Sequence, residues 1–154
     1  MMKYSVLMIL CLLTSTAQAS YCSGKNWQDA YQLYTHNIDL LNNHIDRYNV
    51  LLDKVNLSEV GKGEQRFRVA KSSIEELDQL NIEVESLESK FNKVKQFWQL
   101  ISDNCLHDDE LDYNNKALEN VRGADIGRKE VNDLLSRIEI VRSRFFQAIK
   151  LTHY

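Results

Sequence analysis

From Trp27 onward, large apolar residues recur at steps that alternate four and three: Trp27, Tyr31, Tyr34, Ile38, Leu41, Ile45, Tyr48, Leu52 and Val55. This is a heptad seam, the pattern of a helix that buries one narrow stripe against a partner helix. No charged residue stands at any of these positions. The stretch Leu57 to Arg66 (LSEVGKGEQR) interrupts the pattern and supplies Gly61 and Gly63 as turn residues. A second seam then runs through Phe67, Ala70, Ile74, Leu77, Leu80, Val84, Leu87, Phe91, Val94, Trp98, Ile101 and Cys105. Its one irregularity is a local stammer around Leu77 and Leu80.

The stretch LHDDELD marks a corner, where Asp108 or Asp109 can cap the next helix and Glu110 and Asp112 suit the positive end of its dipole. The third periodic segment carries Leu111, Leu118, Val121, Val131, Leu134, Leu135, Ile138, Val141, Phe145 and Ile149. Its stripe is wider than a two-stranded seam requires, as expected for a helix packed on two others. Within it, RGADIGR holds Gly123 and Gly127. Each costs about 1 kcal/mol relative to alanine inside a helix. A close helix approach explains them, and a hinge or short break near 122–128 is the functional reading, so both are carried as candidate hinge residues.

These segments predict an all-α fold, an elongated antiparallel bundle of three long helices. It is a coiled-coil-like hairpin plus a third helix, with a break near 122–128 left open. The absence of proline from the whole sequence favours long uninterrupted helices.

The first nineteen residues, MMKYSVLMILCLLTSTAQA, do not join this pattern. One early charge (Lys3), an apolar run from about Val6 to Leu13, and Ala17-Gln18-Ala19 have the order of an export signal. The apolar core is too short to span a bilayer. The expectation is a cleaved signal peptide over 1–19 and a single helical-bundle domain over 20–154. Cys22 does not directly follow the cleavage point, so no lipoprotein anchor is expected, and the place of the protein is periplasmic or secreted. Loss of Lys3 moves the formal net charge from −3 to −4. That mild acidity leaves no electrostatic footprint for nucleic acid, and no stable membrane insertion is expected.

Folding the first helix back on the second pairs Trp27 with Ile101, Tyr34 with Val94, Leu41 with Leu87 and Val55 with Ile74. Cys22 and Cys105 fall in the same register, at the end of the hairpin far from its turn. In an oxidising compartment this predicts a Cys22–Cys105 disulfide, which places both tryptophans within a turn or two of it. There is no CxxC for redox exchange.

Candidate chemistry is sparse. His36 and His44 read as lying off the first seam, too far apart to grip one metal. His107 with its acidic neighbours reads as a capped corner. Neither a His-x-x-x-His nor a Glu-x-x-His pair occurs. Trp27, Tyr31, Tyr34 and Tyr48 read as core rather than a ligand groove. No catalytic residue, metal site or cofactor is expected.

The expected function is that of an exported, non-enzymatic protein–protein interaction module, an accessory or adaptor subunit of a cell-envelope assembly such as a secretion or pilus system. A periplasmic holdase-type chaperone and a secreted toxin or inhibitor are the alternatives, and an oligomer is compatible with the pattern. Were the third helix to return with residue 150 beside residue 64, Phe145, Phe146, Ile149 and Leu151 would gather with Leu57, Val60 and Phe67. Phe145, Phe146, Leu151, Val60 and Phe67 are therefore the candidate partner-binding residues, with Phe146 as the anchor because it falls off the buried stripe.

Overall fold

The computed structural model describes Cys22, Gly24 to Val60, Gly63 to His107 and Glu110 to Lys150, without the side chains of residues 56–60. The expected signal peptide, Leu151, and the capping role of Asp108 or Asp109 lie outside the described residues. So do the side chains of Leu57 and Val60.

Three helices follow one another: α1 (Lys25–Val60), α2 (Glu64–His107) and α3 (Leu111–Lys150). The 44 residues of α2 give it a length of about 66 Å at 1.5 Å per residue. The hairpin turn is tighter than the ten-residue interruption in the pattern suggested, because α1 keeps its helical bonding to Val60 and α2 resumes at Glu64. Gly63 makes this sharp return feasible. Its φ of 60° is left-handed, and its carbonyl accepts the Phe67 N–H at 3.2 Å. At the other corner the Glu110 N–H donates to the Cys105 carbonyl at 2.9 Å, and the Glu110 carbonyl accepts from Asn114 at 3.0 Å. Backbone groups that a helix end leaves unpaired are thus used to join α2 to α3.

The seam expected on α2 is all buried from Ala70 to Cys105, with Phe67 half-buried at its start. Trp98, Phe91, Leu77, Leu80 and Leu87 are among the largest fully buried side chains. Burial of each such side chain stabilises the fold by about 1.5–3 kcal/mol. Helix α2 shares more of its surface with α3 than with α1, and α1 and α3 touch least. It is the central element rather than one half of a symmetric hairpin.

Two seams depart from expectation. On α1 the buried positions are Ala30, Asn37, Leu41, His44, Tyr48, Leu51 and Val55. Tyr31 is exposed, while Ile38, Ile45 and Leu52 are half-buried flank residues. One heptad position is as read, and the other is displaced by one residue. The third helix draws the centre of burial sideways, since α1 packs against both α2 and α3 instead of facing α2 alone. His44 is accordingly inside the seam, not off it.

On α3, Leu111 and Leu118 are exposed, and Asn114, Ala117, Ala124 and Gly127 are buried in their place. The large rings of α2 and α1 at this level occupy the space, so α3 presents its small residues to them. The break near 122–128 is not there: α3 is continuous from Leu111 to Lys150. A Cβ on Gly127 would lie inside contact distance of the Phe91 ring, and one on Gly123 would lie 3.2 Å from Tyr34 Oη. The glycines of RGADIGR sit where α3 comes closest to aromatic side chains.

Candidate functional site

Cys22 and Cys105 stand at disulfide distance, with Cα atoms 5.0 Å apart across a sequence separation of 83 residues. Both are fully buried in a small core cluster with Ala30, Trp98, Ile101 and Ala117, against which Trp27 packs. Trp27 meets Trp98 edge-on at 4.9 Å between ring centroids and Tyr113 at 5.7 Å. The register expected for the hairpin agrees with that observed, in which Trp27 packs against the cluster that holds both Trp98 and Ile101. This end of the bundle is aromatic, closed and cross-linked.

Midway along the α1–α2 face lies a different arrangement. His44 is 8% exposed, and its Nδ1 lies 3.7 Å from Glu83 Oε2. That is an ion-pair distance if the ring is charged, and too long for a hydrogen bond. Arg47, one turn further along α1, bonds the same Glu83 oxygen directly. Gln79 on α2 donates its Nε2 to Glu83 Oε1 at 2.9 Å. Burial, more than any neighbouring charge, holds the His44 imidazole below its ordinary pKa, and the Glu83 charge only partly offsets it. The Arg47 guanidinium, followed by the Gln79 amide, holds the Glu83 carboxyl below its ordinary value. One heptad before His44, Asn37 is 1% exposed, and neither its amide oxygen nor its nitrogen has a partner.

Arg47 and Gln79 also border a shallow groove of about 420 Å³ between α1 and α2, together with Leu51, Ser72, Glu75 and Glu76. The Ser72 hydroxyl donates to Glu76 at 3.2 Å, and Lys54 pairs with Glu76 at 2.9 Å. The hydroxyl that lines the groove is therefore engaged with a carboxylate rather than with His44. Among the described residues there is no grouping of three or more metal-ligating side chains, and no helix is long and apolar enough to cross a membrane.

Of the expected partner-binding residues, the side chains of Phe67, Phe145 and Phe146 are described, and those of Val60 and Leu151 lie outside the described residues. Phe145 is fully buried in the main core, with Ile149 packed against the same cluster, and so offers no surface in this fold. Phe67 is half-buried. Phe146 is 44% exposed, and the Arg142 guanidinium lies over its ring at 5.5 Å. Arg142 is itself tied to Asp78 on α2 at 2.8 Å and to Glu139 at 3.2 Å. A guanidinium at this distance over the ring face is attracted to its π-system.

The His44–Glu83–Arg47 cluster was missed in the sequence because the seam was placed one residue too far along. The available signal was the second heptad position itself, where Ala30, Asn37, His44 and Leu51 recur every seven residues. Comparison with protein-family models, curated proteins and solved structures returns no match.

Proposed function

We propose that this chain is an exported, non-enzymatic protein–protein interaction module, serving as an accessory or adaptor subunit of a cell-envelope assembly such as a secretion or pilus system. The observation that carries the reading is Phe146, a large aromatic ring 44% exposed, with the ion-paired Arg142 guanidinium 5.5 Å from its centroid. Aromatic side chains are favoured anchors, because little conformational entropy is lost when a partner covers them. Export is supported by the leader-like pattern of residues 1–19 and by the Cys22–Cys105 pair at disulfide distance, since such bonds persist in oxidising compartments.

The test is capture of partners from a host envelope extract by residues 20–154 and by the same chain carrying Phe146→Ala. One partner in stoichiometric amount, lost on substitution while the melting temperature holds, is the expected result. Capture unaffected by Phe146→Ala removes Phe146 as the anchor. A spread of substoichiometric clients overturns the adaptor reading.

A further inference from the structure

The α1 seam places a titratable ring where a hydrophobic residue would ordinarily stand. His44 is buried between Leu41 and Tyr48, and its Nδ1 has no hydrogen-bond partner. Glu83 Oε2, its ion-pair neighbour at 3.7 Å, accepts from Arg47. A second weakness lies seven residues earlier on the same stripe, at the unpaired amide of Asn37. On the same helix, by contrast, Lys54 makes an ordinary ion pair with α2.

We infer that His44 and Glu83 form an acid-sensitive joint, which loosens the middle of α1 from α2 when the imidazole takes up a proton. Neutral imidazole donates from one nitrogen and accepts at the other, whereas imidazolium must donate from both. The proton comes from bulk water, and the charged ring carries N–H on both nitrogens, with Glu83 Oε2 3.7 Å from Nδ1. At 3.7 Å that oxygen is out of hydrogen-bond reach, so the cationic ring stays buried without a bonded partner unless α1 shifts against α2, and either way the α1–α2 contact is weakened.

The groups that act on the ring are Glu83 and Lys90 from α2 and Arg47 from α1. The two cations add repulsion once His44 is charged. Helix α3 runs parallel to α1 with Gly123 beside Tyr34, so Glu130, Asp133 and Arg137 are its charges nearest this level. None of the three is among the charges that act on the imidazole. The Cys22–Cys105 pair at one end of α1 and the Gly63 turn at the other keep the helix attached while its middle loosens.

Backbone hydrogen exchange over residues 37–51 reads this joint with the disulfide intact. After correction for intrinsic rates, protection should fall between pH 7.5 and pH 5.0, because opening lets the buried imidazole take up a proton. Protection in α2 and α3 away from the seam should change less. His44→Gln should abolish the dependence, and His36→Gln, at an exposed position of the same helix, should retain it. Should His44→Gln fail to fold, the imidazole titration of the native chain decides: His44 must titrate below the ordinary value of about 6.5. A His44 midpoint at or above that value, or an unchanged pH dependence in His44→Gln, overturns the inference.

Discussion

The two interfaces of α2 are built from different chemistry. Towards α3 the contact is broad and close-packed, with small residues on one helix receiving large rings from its neighbours. Gly127 admits the Phe91 ring, and Ala117 and Ala124 pack in the cluster that contains Trp98. One buried amide there is well paired, Asn114 Nδ2 donating to the Ser102 carbonyl at 2.8 Å and to its hydroxyl at 2.9 Å, while the Trp98 Nε1 has no partner. Lys95 reaches Asp125 at 2.9 Å. Towards α1 the contact is narrower, and two positions of the buried stripe are Asn37 and His44. Buried polar groups without partners forfeit most of what burial would have contributed. One interface therefore holds the fold together, and the other is conditional.

The largest effect that would break this comparison lies in the α2–α3 contact. Phe91→Ala should cost about 3–5 kcal/mol, read from chemical denaturation, because it removes a fully buried ring and leaves a cavity beside Gly127. Gly127→Ala should cost about 1–3 kcal/mol by overpacking the same ring, despite the better helix propensity of alanine. In a Phe91→Leu background most of that cost should vanish. Additive losses would show that the ring and the glycine do not share one space.

Removing the Cys22–Cys105 bond by the double serine variant should destabilise the chain by about 2–5 kcal/mol, because the bond closes a long loop. Reduction without unfolding should also brighten tryptophan emission, since Trp27 and Trp98 pack in the cluster that holds both cysteines. Unchanged emission would separate the rings from the bond.

Asn37→Leu sharpens the contrast with an effect of opposite sign. Replacing a buried amide that has no partner should stabilise the chain by about 1–3 kcal/mol. A loss of stability would mean that the amide is satisfied in solution and that the α1 seam is less strained than described.

Acid should act on the α1 side in two windows. The His44 pKa is lowered in the folded chain, so between that value and 6.5 the unfolded chain binds more protons. Stability is therefore lost as pH falls below about 6.5. The Glu83 pKa is also lowered, so the stability it contributes is present above about 4.5 and is lost as pH falls further. Denaturation midpoints taken across both windows should decline in two steps. His44→Gln should remove the upper step and leave the lower one.

The smallest stability effect belongs to Phe146→Ala, within about 0.5 kcal/mol, because the ring is largely outside the packed core. A larger loss would mean that the Arg142 stack supports the α2–α3 interface rather than presenting a surface.

The amino-acid sequence determined a good deal of this by local rules. Helix-compatible periodicity without proline set three long helices, and the α2 stripe was legible from Ala70 to Cys105 because that helix is covered on two sides. Cys22 and Cys105 could be paired because the length of the hairpin and the position of its turn place them at one end. Tertiary structure decided the rest. A heptad pattern flanked by further apolar residues is consistent with two neighbouring stripes, and only the position of α3 selected Asn37 and His44 over Ile38 and Ile45. Leu111 and Leu118 read as core until Trp27, Phe91 and Trp98 took the available volume and left room only for Ala117, Ala124 and Gly127. The His44–Glu83–Arg47 cluster joins two helices across a gap in sequence of more than thirty residues: heptad spacing could have marked His44 as buried, but only the packing of α1 on α2 brings Glu83 to it.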